Sequence, residues 1–288
     1  MGKKTKIDWA DATWNPVTGC RHDCPYCYAR KIAERFGGNL REAGTALPAE
    51  LSGESMGRPI EEKRINIHIL DHPVMVQRES DGASIKSPYP YNFDPTLHAY
   101  RLDIPKQWTK PRTIFVCSMA DLFGDWVPVD WIHRVYRACW AALQHRYIFL
   151  TKNPGRFHQL HQQGIDPPPG SFIGTSVTRN SDEGELARLA HLMDNWAMKA
   201  RWFVSVEPIL EELDEFVLER IALTDWVIIG AETGRRPGKT IPEKAWIEEI
   251  AQACKDNGTP VFMKESLRGI MGRDFRQEFP WKADDLDG

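Results

Sequence analysis

The sequence predicts an α/β fold: a partial (β/α)6-type TIM-like barrel of parallel strands, with an irregular insertion after the first helix. Short, almost uninterrupted apolar runs alternate with amphipathic segments of helical periodicity. This alternation is typical of right-handed βαβ units around a parallel sheet that is buried on both faces. The length of 288 residues suits one barrel domain. We therefore expect a single domain over residues 1–288 with the insertion over residues 39–93.

The predicted strands are the apolar runs, which are too short and too continuous for amphipathic helices. Residues 7–14 are a candidate initial strand that precedes them. In chain order the runs are Ile114–Cys117, Tyr147–Leu150, Phe172–Gly174, Trp202–Val206, Trp226–Ile229 and Pro260–Met263.

Helices are predicted between these runs, where apolar residues recur at helical spacing. The first covers residues 25–36, with Asp23 as its N-cap and Gly37-Gly38 as its stop signal. The segment that follows it, residues 39–93, is polar, irregular and rich in Gly, Pro and Ser. We interpret it as an insertion, and as a candidate lid, rather than as a second domain. Later helices are predicted to begin near Asp130, Pro154, Ser181 and Pro242.

Composition excludes several classes of protein. The formal net charge is −3, so the chain lacks the overall basic character of many nucleic-acid-binding proteins, although a local basic groove remains open. No apolar run reaches the length of a membrane span, and the basic N-terminus lacks the apolar core of a signal peptide. We therefore expect a cytoplasmic protein without a membrane partner.

Polar side chains follow the apolar runs at the point where each predicted strand ends. In a parallel barrel the carboxyl ends of the strands open on one face, and that face carries the active site. The alternative is that charged strand ends are merely solvated. The residues in question are Ser118, Asp121, Thr151, Lys152, Ser176, Glu207, Glu232 and Lys264.

Three of the six cysteines lie within eight residues of one another, at Cys20, Cys24 and Cys27. Their C-x3-C-x2-C spacing lets three thiolates converge on one soft metal centre. An electron-transfer iron–sulfur cluster ordinarily has four cysteine ligands, so three leave one iron without a protein ligand, as catalytic metals require. The remaining cysteines stand singly in apolar surroundings and are predicted to be core residues: Cys117, Cys139 and Cys254.

Other uses of this cluster of cysteines remain open. A zinc ion bound by the three thiolates and His22 would make a zinc-stabilised binding protein, although His22 lies awkwardly inside the first spacer. A fourth thiolate from Cys117 would close the site for electron transfer. A third alternative is a non-catalytic regulator that binds both a cluster and S-adenosylmethionine (SAM) and acts on a partner.

The cysteine motif, with the aromatic Tyr26 before its third cysteine, resembles that of the radical SAM superfamily. An ordered series of further motifs resembles one radical SAM-like family, which is common in bacteriophages and mobile elements and often encoded beside a three-Cys-motif partner protein. This series comprises Trp14–Cys20, Ser118–Phe123, Leu150–Pro154, Ser205–Pro208 and Ile229–Gly234.

This resemblance implies a [4Fe-4S] cluster on Cys20, Cys24 and Cys27 with SAM bound to the open iron. Transfer of one electron would then cleave SAM to methionine and a 5′-deoxyadenosyl radical, which modifies an unidentified substrate. The electron would come from a reductant protein such as flavodoxin or ferredoxin. Because of the family's association with mobile elements, we expect a nucleotide or nucleic-acid substrate.

The resemblance also gives roles to the strand-end residues. Many superfamily members hold the SAM amino group with Gly-Gly-Glu after the second strand; this chain has Ser118–Asp121 there, and Asp121 is expected to supply the carboxylate, the alternative being a helix or turn cap. Lys152, Glu232 and Lys264 are expected to be catalytic residues that face the substrate. The expected SAM contacts are Tyr26, Ser118, Asp121, Thr151, Ser176, Glu207 and Gly230.

Overall fold

The computed structural model describes residue 5 and residues 7–37, 66–78, 80–195 and 200–281. The predicted insertion over residues 39–93 therefore lies outside the described residues at positions 39–65 and 79. Its described remainder contains short strands, which are given below, and so it is not wholly irregular.

The central element is a curled sheet of seven strands, all of which pair in parallel. The predicted partial α/β barrel is confirmed. The candidate initial strand adds one strand to the six predicted apolar runs and forms an edge of the sheet. In spatial order the strands are β1 (Ala12–Trp14), β7 (Thr113–Val116), β8 (Arg146–Thr151), β9 (Phe172–Ser176), β10 (Arg201–Val206), β11 (Trp226–Ile229) and β12 (Val261–Met263).

Helices connect successive strands of this sheet, as the alternating sequence pattern predicts. The exceptions are two four-residue helices, one before β7 and one after β12. The helices are α1 (Tyr28–Phe36), α2 (Ile104–Gln107), α3 (Val129–Trp140), α4 (Gly155–Gln162), α5 (Glu183–Asn195), α6 (Glu215–Ala222), α7 (Lys244–Asp256) and α8 (Arg268–Met271).

The start of the first helix differs from its prediction. Helix α1 begins at Tyr28 rather than at residue 25, and its N-cap is Cys27, whose Sγ accepts a hydrogen bond from the Arg30 N–H. Asp23 is therefore not the cap: it stands at a left-handed φ of 54° and pairs with the Arg30 guanidinium at 3.2 Å. The residues from Cys24 to Cys27 form a turn, in which the Cys27 N–H donates a hydrogen bond to the Cys24 carbonyl.

Two small sheets lie beside the barrel. One joins β2 (Val17–Thr18), β6 (Thr96–His98) and β3 (His68–Leu70), so that the segment leading into the cysteines is itself paired. The other is a hairpin of β4 (Met75–Gln77) and β5 (Ser84–Lys86).

Alternate residues of each strand face two separate cores. One set packs outward against the helices, where the single cysteines Cys117, Cys139 and Cys254 are also buried, as predicted. The other set points into the barrel and fills its lumen with bulky side chains, which leaves the carboxyl ends of the strands as the open end. The members of this lumen cluster are Trp9, Phe115, Ile148, Phe172, Phe203, Trp226, Ile228 and Phe262.

Candidate active site

A cavity of about 670 Å³ opens at the carboxyl ends of the strands. Its floor is apolar because it rests on lumen residues such as Trp9 and Phe115. The structure brings nearly all the sequence-predicted site residues together here, although their roles stay predictions. The cavity is lined by Cys20, Cys24, Tyr26, Cys27, Ser118, Asp121, Thr151, Lys152, Ser176, Glu207, Glu232 and Lys264.

The cysteine loop is shaped by Gly19. This residue has a φ of +89°, and a Cβ added to it would lie 2.3 Å from the Asp94 carbonyl oxygen. Only glycine fits both the left-handed backbone and this close approach. The chain therefore enters the loop at a fixed angle, with the Cys20 N–H bonded to the Phe93 carbonyl at 3.3 Å.

The three thiols share one cavity, but they do not form a ready-made metal site. Among the described residues, no three His, Cys, Asp or Glu side chains are grouped closely enough to hold a metal ion. Burial, and after it the charge of Asp121, raises the pKa of the Cys20 thiol to about 12, so the thiol is neutral without a metal. A bound cation reverses this by favouring the thiolates. In donor chemistry and shared exposure to the cavity, the residues fit an iron–sulfur cluster.

Asp121 anchors the rim of the cavity between β7 and β8. Its carboxylate accepts four hydrogen bonds, from the Thr151 hydroxyl at 2.7 Å, the Lys152 N–H at 2.9 Å, the Phe123 N–H at 3.0 Å and the His22 ring at 2.7 Å. Burial alone would raise the pKa of Asp121, but the hydrogen bonds, above all that from His22, hold it below its usual value. Two of these donors are backbone N–H groups, as in a turn cap, which is the alternative role that the sequence leaves open for Asp121. A SAM contact by Asp121 stays a prediction.

His22 ties the cysteine loop to this anchor. Its Nε2 bonds to Asp121, and its ring packs edge-on against Trp126 with 4.8 Å between the ring centroids. A zinc site that used His22 through Nε2 would have to break the bond to Asp121. This contact was not anticipated from the sequence, since the two residues are 99 positions apart.

Ser118 belongs to a second brace beneath the cysteine loop. Its hydroxyl donates to the Asn15 side-chain oxygen at 3.2 Å, which also accepts the Met119 N–H at 3.0 Å. The Ser118 carbonyl in turn accepts the Tyr28 hydroxyl at 2.7 Å. Asn15 and Tyr28 were not predicted as site residues; the presence of Asn15 in the motif before the cysteines was the signal that could have identified it.

Lys152 is set apart from the other cations of the cavity wall by having no carboxylate partner among the described residues. Its ammonium group lies over the Tyr26 ring, 5.6 Å from the ring centre. Burial alone would lower the pKa of Lys152, but the hydrogen-bonded Tyr26, and after it Cys24 and the more distant Asp182 carboxylate, raise it above its usual value. Lys152 is therefore a charged group beside the cysteines that can accept an anionic ligand.

Glu207 and Lys264 form an ion pair across the sheet, between the ends of β10 and β12. Gly230 directly follows β11, the strand between them, and a Cβ on it would lie 3.1 Å from both Glu207 Cγ and Lys264 Cδ. The SAM contact predicted for Gly230 stays a prediction; the structure shows that its backbone lies close to these two side chains. Because the pair stays partly exposed to the cavity, its charged groups can be reached by a bound molecule.

Glu232 is held by Arg236 four residues later. Two parallel hydrogen bonds of 2.7 Å join the guanidinium to the carboxylate, which is the strongest geometry for this pair. Arg236 thereby keeps the pKa of Glu232 below its usual value. Arg236 was missed at the level of sequence because it lies in a loop without periodicity.

Ser176 is the last residue of β9, the middle strand of the sheet, and it also lines the cavity. The Thr151 hydroxyl both donates to Asp121 and accepts the Asn153 N–H at 2.9 Å.

None of the described helices combines the length and the apolar character needed to cross a bilayer.

Comparison with known proteins gives one family and a set of similar folds. The profile of a family described as "Protein of unknown function (DUF5131)" matches residues 4–271. No curated protein sequence matches the chain.

The solved structures similar to this one include two of spore photoproduct lyase. A double mutant with bound AdoMet and dinucleoside spore photoproduct has 12% identity and a TM-score of 0.46 over 87% of this chain and 62% of that chain. A single mutant has 10% identity and a TM-score of 0.45 over 94% and 78% of the respective chains. The chain thus spans about three fifths of the length of the first of these proteins.

Proposed function

This chain belongs to the DUF5131 family, and we propose that it is a radical SAM-type enzyme acting on an organic substrate. One observation carries the proposal: the three cysteines at C-x3-C-x2-C spacing line the same cavity as the polar side chains from the strand ends. In a parallel barrel this is the face where catalysis takes place.

Cys20, Cys24 and Cys27 would hold a [4Fe-4S] cluster. When bound, such a cluster with one iron free of protein ligands supplies an electron to SAM and so yields a 5′-deoxyadenosyl radical. The protein's own task is to hold the cysteine loop in place, through the Asp121–His22 bond and the Gly19 turn.

The remaining cavity residues would bind and orient the bound molecules. Lys152 offers a positive charge beside the cysteines, which suits a carboxylate or phosphate group. The Glu207–Lys264 pair offers both signs of charge at the opposite wall. The apolar floor offers a nonpolar surface against which an organic substrate can pack. Ser118, Thr151 and Ser176 supply hydroxyl groups, and Glu232 remains a candidate catalytic residue.

Anaerobic reconstitution tests this proposal. Purified protein should take up iron and sulfide, turn brown, and release 5′-deoxyadenosine when it is given SAM and dithionite. The Cys24→Ala variant should lose both the colour and the product. Cys254→Ala is the matched control because Cys254 is buried in the core between sheet and helices and does not line the cavity, and it should keep both.

The alternatives give different results in the same experiment. A colourless protein that contains zinc would contradict the cluster and support a zinc-stabilised binding protein. A brown protein that binds SAM but forms no 5′-deoxyadenosine, with or without candidate substrates, would indicate a regulator. The reductant protein, such as flavodoxin or ferredoxin, and the three-Cys-motif partner protein stay predictions.

A further inference from the structure

Helix α1 exposes an apolar stripe beside the cavity. Tyr28, Ile32 and Phe36 are spaced four residues apart, so they lie on one face, and they are 50%, 37% and 55% exposed. Tyr28 and Ile32 also line the cavity, which places the stripe at its mouth. Large exposed aromatic side chains in a row next to a cavity mark an interaction surface.

The same helix carries free cations. Lys31 and Arg35 are exposed, and among the described residues neither has an ion-pair partner within 4 Å. The Arg35 guanidinium lies 5.3 Å from the centre of the Phe36 ring. The helix therefore interleaves aromatic rings with positive charges, a combination typical of surfaces that stack bases and follow a phosphate backbone.

A second basic segment flanks the same cavity, in the loop between β11 and α7. Glu232 and Thr233 of this loop line the cavity, and Arg235 and Lys239 follow within a few residues. The carboxylate of Glu232 is already occupied by Arg236. Arg235 is exposed and has no ion-pair partner among the described residues. The half-buried Lys239 lies near Glu232 and donates a long hydrogen bond of 3.4 Å to the Gly234 carbonyl, which an anionic ligand at the mouth can replace.

Opposite these segments the rim is acidic. The loops that follow β9 and β10 carry acidic residues, of which Asp182 accepts the Thr178 N–H within its loop and Asp214 is the N-cap of α6. The basic residues give a polyanion a path along α1 and across to the loop after β11. The path passes Asp8 and Glu265 of the cavity lining, of which Glu265 is paired with Arg268. The acidic residues are Asp182, Glu183, Glu211, Glu212 and Asp214.

We propose that this surface binds single-stranded nucleic acid, with one base directed into the cavity as the substrate. The backbone lies along Lys31 and Arg35 and continues past Arg235 and Lys239, while neighbouring bases stack on Tyr28 and Phe36. This inference deepens the proposed function by naming its substrate class.

A single strand fits better than a duplex or an acidic protein. A base inside a duplex cannot reach an enclosed site unless it is unstacked, whereas a single strand presents its bases freely. An acidic protein would use the same cations and could pack on the same rings, so the experiment below includes such a partner as one of its outcomes. The net charge of −3 is no obstacle, because the basic residues are concentrated at one part of the rim.

The test is fluorescence anisotropy of reconstituted protein with a labelled 20-nucleotide single-stranded DNA at several salt concentrations. Two double variants, Lys31→Gln with Arg35→Gln and Arg235→Gln with Lys239→Gln, should each weaken binding by about tenfold. Each should also reduce the slope of log affinity against log salt by about 1.4, because each lost phosphate contact removes about 0.7. Phe36→Ala should weaken binding by about fivefold or more through lost stacking.

The matched control removes two exposed lysines near the amino ends of the strands, with Lys110→Gln and Lys255→Gln. It should leave affinity and slope unchanged. Equal weakening by the control, or binding of duplex as tightly as single strands, would overturn the proposal. So would absence of single-strand binding together with binding of an acidic electron-donor protein that both basic double variants abolish.

Binding and radical formation are measured separately. Reconstituted protein that forms 5′-deoxyadenosine but does not bind single strands would overturn this inference and leave the proposed function standing. Protein that binds single strands through these residues but holds no cluster would overturn the proposed function alone.

Discussion

The two sides of the cavity rim are built differently. On the side of β1, β7 and β8, which we call the anchored side, the buried carboxylate of Asp121 and the amide of Asn15 accept backbone N–H groups and hydroxyls. On the side of β10, β11 and β12, the ion-paired side, Glu207 and Glu232 are held mainly by the side chains of Lys264 and Arg236.

This difference separates a fixed part from an adjustable one. Hydrogen bonds from the backbone to a buried carboxylate cannot be lost without leaving several groups unsatisfied, so they hold the cysteine loop rigidly. The Glu207–Lys264 pair is partly exposed, so it contributes little to stability and can exchange partners with a charged ligand. Glu232 is buried, and its pair with Arg236 is therefore the firmer of the two. The comparison predicts that substitutions on the anchored side act mainly on folding, whereas those on the ion-paired side act mainly on ligand binding.

The largest effect on stability is expected from Asp121→Asn. The amide keeps one acceptor oxygen but turns an N–H group toward existing donors, so at least two of the four hydrogen bonds are lost in a buried setting. We expect the free energy of unfolding to fall by about 3 kcal/mol. Urea unfolding at pH 7 measures it.

Asp125→Asn is the control for this variant, since Asp125 is exposed and accepts one side-chain hydrogen bond, from Asn153. It should change the free energy of unfolding by less than about 0.5 kcal/mol. If the two variants were equally destabilised, the anchored side would not be the rigid part that we describe.

The second effect concerns His98, which holds the segment before the cysteines. Its Nε2 bonds the Thr18 hydroxyl at 2.9 Å, and burial, reinforced by Arg101, lowers its pKa to about 3. Since the unfolded chain takes up this proton near pH 6.5 and the folded one does not, stability is full above pH 6.5 and declines as pH falls toward 3. Between pH 7 and pH 5 the loss should be about 2 kcal/mol.

The His98→Gln variant should remove most of this pH dependence in urea unfolding, whatever its stability at pH 7. His133→Gln is the control because His133 is exposed on α3. A wild-type protein that is as stable at pH 5 as at pH 7 would show that His98 is protonated without cost, and that this part of the anchored side can open.

Interactions between residues close together in the sequence could be predicted from it, whereas interactions between distant residues could not. Strand ends and cysteine spacing are local patterns, so the cavity lining was identified from them. The SAM contact expected of Asp121 comes from the resemblance and stays a prediction. Its four hydrogen-bond donors could not be predicted, because they come from separate segments, among them His22, 99 residues away, and no local pattern reveals them. The Glu207–Lys264 pair depends on strands two apart in the sheet and on the missing side chain of Gly230, which only the register brings together.

A third, smaller effect is expected from Glu232→Gln on the ion-paired side. The amide still accepts one bond from Arg236, so the free energy of unfolding should fall by about 1 kcal/mol at pH 7. Because Arg236 depresses the folded pKa of Glu232, its contribution is present above pH 4.5 and is lost as pH falls through the lower folded value. The stability difference between wild type and variant should therefore shrink toward pH 3. A difference independent of pH would indicate a packing defect instead.

The smallest effect on stability, and the sharpest test of the comparison, is Gly230→Ala. The added Cβ would meet Glu207 Cγ and Lys264 Cδ at 3.1 Å, and these flexible side chains can yield by a few tenths of an ångström. The free energy of unfolding should change by less than about 1 kcal/mol, because the ion pair is partly exposed. Displacement of the pair should nevertheless weaken SAM binding, measured by equilibrium dialysis, by about threefold to tenfold.

Gly184→Ala in α5 is the control, since nothing lies within 4 Å of its added Cβ, and it should leave SAM binding unchanged. If Gly230→Ala instead destabilised the fold by several kcal/mol and left SAM binding intact, the Glu207–Lys264 pair would be a structural brace. The two sides of the rim would then be rigid alike, and the charged groups that engage the ligand would have to be sought nearer to Lys152, whose ammonium group has no carboxylate partner among the described residues.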